Sequence, residues 1–172
     1  EVKLPNNQVK YFKYTYTQPE GRTVYNTRQD ALSGAVDADF IVSNSASDGG
    51  AVYNNGMISN INGDFSGNYT DSGDSAEGGA IYNNENSTID QITGNFIDNY
   101  AKSASYYAEG GAIYNNSNTT IGNITGNFVN NRSYDTGTTR GNANGGVISN
   151  HGKINNITGN FIGNYTKGYN SV

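Results

Sequence analysis

Asp48, Glu77 and Glu109 each stand directly before a pair of glycines, at Gly49-Gly50, Gly78-Gly79 and Gly110-Gly111. Three carboxylates at one recurring position can do chemistry. Held close together, they raise one another's pKa or attract a cation such as Ca²⁺. The fourth equivalent position is Asn144, and carboxylates in such a row can also splay into water. A lyase or hydrolase would need more than the row: a unique cluster of Asp, Lys and Arg on one face. The basic residues of the repeats, Lys102, Arg132, Arg140, Lys153 and Lys167, show no such convergence. His151 is the only histidine, sits beside Gly152 and reads as a surface turn residue. No Ser-His-Asp elbow, phosphate loop or nucleotide fingerprint is present. The expectation is a non-enzyme with no catalytic residue and no cofactor beyond Ca²⁺ at Asp48, Glu77 and Glu109.

Tyrosine supplies the second candidate chemistry, since it offers flat, amphipathic contact surface. Tyr53, Tyr82 and Tyr114 recur three or four residues after the Gly pairs, and Tyr106, Tyr107 and Tyr134 fall in segments of variable length. These six are the candidate binding residues.

The elements that position them repeat. EGGAIYNN occurs at Glu77–Asn84 and again, unchanged, at Glu109–Asn116, with the variants DGGAVYNN at Asp48 and NGGVISNH at Asn144. Aligned on the glycines, the units carry Ile58, Ile89, Ile121 and Ile154, and three residues later Ile61, Ile92, Ile124 and Ile157. Four residues further stand Phe65, Phe96, Phe128 and Phe161, followed at the third position by Asn68, Asn99, Asn131 and Asn164. A partial earlier copy ends in Phe40. Steps of 29, 32 and 35 residues separate Gly49, Gly78, Gly110 and Gly145, a period that signals a solenoid or array. No Leu follows Leu32, and Ile, Val, Thr, Tyr and Phe hold the recurring positions, which favours strand over helix. Gly and Asn punctuate the units as turn residues.

The predicted fold is all-β: a parallel right-handed β-helix, or β-solenoid, of about four to five rungs. Rungs sit about 4.8 Å apart, so Ile stacks on Ile, Phe on Phe, and corner Asn on Asn through side-chain amide ladders. Strict alternation puts Ala80, Tyr82, Ala112 and Tyr114 on the outside when Ile81 and Ile113 face in. Residues 1–33 do not repeat and are read as a cap or donated strand, with QVKYFKYTYT (Gln8 to Thr17) as its strand; residues 34–172 form the solenoid. The segments Ser45–Asp48, Thr70–Glu77, Ala101–Glu109 and Ser133–Asn144 are read as loops clustered on one face.

The net charge of −5 argues against nucleic acid as a partner. No run approaches a membrane-spanning length, so no transmembrane segment is expected in this chain. Cysteine is absent, so there is neither a disulfide nor a thiolate metal site.

The paired GGA(I/V) and FxxN motifs (FSGN, FIDN, FVNN, FIGN) resemble those of the chlamydial polymorphic membrane proteins and related autotransporter-type passenger domains. The resemblance covers roughly Phe40 to Thr166, and departs from the pattern at Val147 and at the stretched Phe40–Asn44. It implies an extracellular or bacterial cell-surface location. It also implies an adhesin-like passenger or stalk that contacts a host surface protein or glycan. The alternatives are a self-assembling structural subunit of an extracellular filament, with other copies of itself as partner, and a carbohydrate-active β-helix enzyme.

Overall fold

The computed structural model describes residues 45–137 and 141–168, together with the strands Thr23–Val24, Gln29–Asp30 and Ala35–Ile41. Most of the expected N-terminal cap, including its Gln8–Thr17 strand, lies outside the described residues. These residues form only strands and turns, coiled into a parallel β-solenoid of about 4 turns. The two early strands already join it: Thr23–Val24 pairs with Ala38–Asp39, and Gln29–Asp30 with Val52–Tyr53, both in parallel.

Like residues lie over like. Ile81 pairs with Val52 and Ile113, Ile92 with Ile61 and Ile124, and Phe96 with Phe65 and Phe128. The phenylalanine rings form one internal column, with centroids 4.7, 5.1 and 4.6 Å apart from Phe65 through Phe161. Phe65, Phe96 and Phe128 are fully buried. Phe161 belongs to the last described rung and is 51% exposed among the described residues.

Two residues in each isoleucine strand reach the interior although they are three apart. In Thr88–Thr93 the buried positions are Ile89 and Ile92, while Asp90 and Gln91 both face out. Asp90 is skipped in the pairing register, so the strand bends there and turns the second isoleucine back inward.

The corners are held by two columns of asparagine, buried in all but the last rung. Asn54 donates through Nδ2 to Oδ1 of Asn83, Asn83 to Asn115, and Asn115 to Asn150, at 2.7–2.8 Å. The second column runs Asn68, Asn99, Asn131, Asn164 in the same direction. Asn99, Asn131 and Asn164 also cap backbone: Asn99, for example, donates to the Phe65 carbonyl and accepts from the Asn68 backbone N–H. A buried corner can thus be polar because its groups are partnered.

The Gly pair departs from simple alternation. Gly78 has φ +63°, a left-handed turn that glycine adopts without strain. A Cβ on Gly79 would sit 2.2 Å from the Gly111 carbonyl oxygen and 2.5 Å from that of Tyr100, so the coil closes on itself at that residue. The next two N–H groups, of Ala80 and Ile81, both donate to the single Ala112 carbonyl at 2.9 Å. Two successive residues then face inward. Ala80 and Ala112 are fully buried in the core beside Ile81 and Ile113, which corrects the alternation expected from sequence.

The variable segments are mostly strand rather than loop. Tyr69–Ser72, Tyr100–Ser103 and Arg132–Asp135 form one ladder; Ala76–Glu77, Tyr107–Glu109 and Asn142–Asn144 form a second. The two ladders pack face to face and make a spur on the side of the column. Its interior holds small side chains, among them Thr70, Ala76, Ala101, Ser103, Ala108 and Ala143, all buried. Among the described residues, only the tips, 73–75, 104–106 and, in the longest, 136, 137 and 141, leave regular structure. Asp135 anchors the longest tip: it is buried and accepts from the Ser103 hydroxyl at 2.7 Å and the Gly137 N–H at 2.8 Å.

Candidate functional site

The Gly-Gly turn brings the two candidate chemistries together. Glu77 ends the spur and Tyr82 lies just past the turn, so the tight chain reversal carries carboxylate to phenol. The Tyr82 phenol lies near enough to Glu77 to favour its charged form, and the Tyr82 hydroxyl accepts a hydrogen bond from Asn116 Nδ2 at 3.0 Å. Repetition multiplies the motif. Asp48 pairs with Glu77 and Glu77 with Glu109, so the three carboxylates do stack as the spacing predicts. Tyr53, Tyr82 and Tyr114 stack beside them, with ring centroids 5.0 and 5.2 Å apart.

The tyrosine ladder is more covered than expected. Tyr82 is 8% exposed and Tyr114 7%, because each ring is sandwiched between its neighbours. Tyr53 is partly exposed. In the fourth unit Ser149 replaces tyrosine, and His151 fills the gap. Its ring lies 5.3 Å from that of Tyr114, and its Nε2 lies 3.5 Å from Glu109 Oε2 and 3.3 Å from Ser149 Oγ. Asn144 donates to Glu109 Oε1 at 2.9 Å. His151 therefore has partners in the site, where the sequence suggested only a surface turn.

Electrostatics follow from this crowding. Burial, then the like charges of Asp48 and Glu109, push the Glu77 carboxyl up to about 7, against the opposing influence of the Tyr82 phenol. Burial and the neighbouring carboxylates also raise the Tyr82 and Tyr114 phenols above their ordinary range. The row can therefore hold a proton near neutral pH. Among the described residues, no group of three or more His, Cys, Asp or Glu side chains is arranged to hold a metal ion.

The other candidate tyrosines sit on the spur. Tyr106 is 54% exposed and Tyr107 45% exposed, at and beside the second tip. Tyr134 faces outward on the first ladder of the spur, its ring 5.8 Å from Tyr100. The guanidinium of Arg132 lies between them, 4.6 Å from the Tyr100 ring centre and 5.9 Å from that of Tyr134. Tyr69 stacks on Tyr100 at 4.9 Å. The structure thus gathers two groups, the carboxylate–tyrosine corner and an aromatic stripe with Arg132 on the spur. Sequence reasoning missed Tyr69, Tyr100 and Tyr165, although a signal existed: each directly follows the Asn of an FxxN motif, where Arg132 stands in the third copy.

No protein-family model matches this chain, and no curated protein or solved structure matches it.

Proposed function

We propose that the chain is a non-enzymatic segment of a cell-surface or secreted protein, an adhesin-like passenger or stalk that presents the spur to a host surface protein or glycan. The observation that carries this reading is the exposed pair Tyr106 and Tyr107 on a spur braced by parallel ladders. Exposed tyrosines on a rigid support make contact with little loss of conformational freedom. The motif resemblance to autotransporter-type passengers points the same way. The test is adhesion of the purified chain to host cells. Y106A/Y107A should reduce adhesion at least tenfold and leave the melting temperature unchanged. Equal adhesion by both proteins refutes the role of the spur.

A second reading is a self-assembling subunit of an extracellular filament. It is favoured by the parallel ladders, in which like residues pair with like from rung to rung, a pattern that a second copy can continue. Light scattering at high concentration separates the two: a stable monomer removes the filament reading.

A further inference from the structure

Positive charge gathers on the outer face of the first spur ladder. Among the described residues the lysines and arginines are Lys102, Arg132, Lys153 and Lys167, and all but Lys153 stand on this face. Two columns make it up. Tyr69, Tyr100, Arg132 and Tyr165 stack in one; Asp71, Lys102, Tyr134 and Lys167, two residues further along each strand, stack in the other. Thr70, Ala101 and Ser133, between the columns, are buried, so both columns point outward. Asp71 is the one acid in either column, although the chain as a whole carries −5.

Arg132 is held in place with its donors unused. Its guanidinium lies 4.6 Å from the Tyr100 ring centre and 5.9 Å from that of Tyr134, a cation–π contact that fixes the group without consuming an N–H. Its side chain makes no ion pair and no hydrogen bond among the described residues. Lys102 is bonded to Asp71 at 2.7 Å on the surface. Lys102 and Lys167 stand one rung below and one rung above Tyr134, so a cation lies diagonally on either side of Arg132. The hydroxyls of Tyr69, Tyr100 and Tyr134 make no hydrogen bond among the described residues either, and each can donate and accept.

These groups select the occupant. A fixed guanidinium with free N–H groups matches an oxyanion that it can grip at two points. The phenols suit a ligand rich in hydroxyls. Nucleic acid carries its charge too densely for a chain at −5 with Asp71 on the same face. A protein partner would favour a drier patch, since Lys and Asp are depleted from protein interfaces. A glycan with sparse carboxylates meets these conditions together. We propose that the outer face of the spur binds a carboxylated glycan, with Arg132 gripping the sugar carboxylate and Lys102 and Lys167 attracting it from either side. The ligand class rests on the reading of the spur as a contact surface, and it uses residues other than Tyr106 and Tyr107.

The experiment is calorimetric titration of the full chain with 3′-sialyllactose and hyaluronan hexasaccharide. Lactose and cellohexaose serve as neutral comparisons, heparin hexasaccharide as the densely sulfated one and hexaglutamate as the acidic peptide. At least one carboxylated sugar should bind with Kd of about 0.1–1 mM at low salt, and about threefold or more weaker in about 0.5 M NaCl, where exposed charges are screened. Arg132→Gln should weaken binding at least tenfold at unchanged melting temperature. Lys167→Gln should weaken it about threefold, and decides the matter if Arg132→Gln melts early. The proposal falls if neither carboxylated sugar binds at millimolar concentration, if the neutral sugars bind equally well, or if both variants bind normally. Preference for heparin overturns the assignment to carboxylates, and preference for hexaglutamate gives the face to an acidic peptide and overturns the glycan. Y106A/Y107A should bind the sugars as the parent does; loss of binding in that variant alone places the sugar at the tip and overturns this site. Cell adhesion that needs Tyr106 and Tyr107, with no sugar bound, removes this site and leaves the passenger reading standing. Sugar binding that needs Arg132, in a chain that does not adhere to cells, keeps the site and removes the passenger reading.

Discussion

At the scale of single residues, the phenylalanine column and the buried carboxyl make the sharpest expectations. Phe96 is fully buried between two rings, so Phe96→Ala should cost about 3–5 kcal/mol in denaturant unfolding. Among the described residues, Phe161 is 51% exposed with a ring on one side only, and its loss should cost about 1 kcal/mol or less. Glu77 tests the electrostatics. Its folded pKa is raised from 4.5 to about 7, so between those values the folded chain holds more protons than the unfolded one. Stability contributed by this group is complete below about pH 4.5 and lost as pH climbs towards 7. Glu77→Gln removes that loss. The variant should be more stable than the parent by roughly 1–2 kcal/mol at pH 8, a figure discounted for partial exposure, with the gain shrinking towards pH 4. Parallel stability–pH curves for the two proteins would contradict the crowding argument.

At the scale of elements, polar ladders and glycine contacts decide which positions tolerate change. Asn99 bonds the Phe65 carbonyl, Asn131 and the Asn68 backbone inside the coil. Asn99→Ala strands those buried groups and should cost about 2–4 kcal/mol. Asn127 occupies the exposed ladder, and its replacement by Ala should cost less than about 1 kcal/mol. Gly79→Ala drives a methyl into two carbonyl oxygens and should cost about 4 kcal/mol or more, whereas Gly73 has open space around it and should accept Ala with little change. Thermal melts of the four variants check the ranking. These elements also show where sequence is legible. Phe, Ile and corner Asn announce themselves because each stacks on its own kind. Inward Ala80 does not, since the bend that turns it inward depends on one carbonyl serving two N–H groups. Nor does the spur: its interior is Ala, Ser and Thr, the residues a reader assigns to loops, and small side chains fit there because the two ladders lie close. The pairing of Glu77 with Tyr82 was implicit in the repeated octapeptide, but only the turn geometry shows that they lie together.

At the scale of the whole molecule, the solenoid has a direction. The two buried asparagine columns donate towards higher residue numbers, while the exposed ladder from Asn160 through Asn127 and Asn95 donates back towards Asp64. Every seam between rungs carries nearly the same set of contacts, so stability is close to a sum over neighbours. Inserting a second copy of residues 78–109 after Glu109 should therefore yield a folded protein that is longer by about 4.8 Å in X-ray scattering and melts no lower than the parent. Aggregation or a lower melting temperature would show that the seams are not equivalent. The same equivalence reaches into heredity. DNA that encodes EGGAIYNN twice invites misaligned recombination between the two copies. Such an exchange removes or adds one complete coil and leaves the junction indistinguishable from those already present. Lineages carrying this gene can thus change the height of the column in whole steps, without first passing through a broken protein.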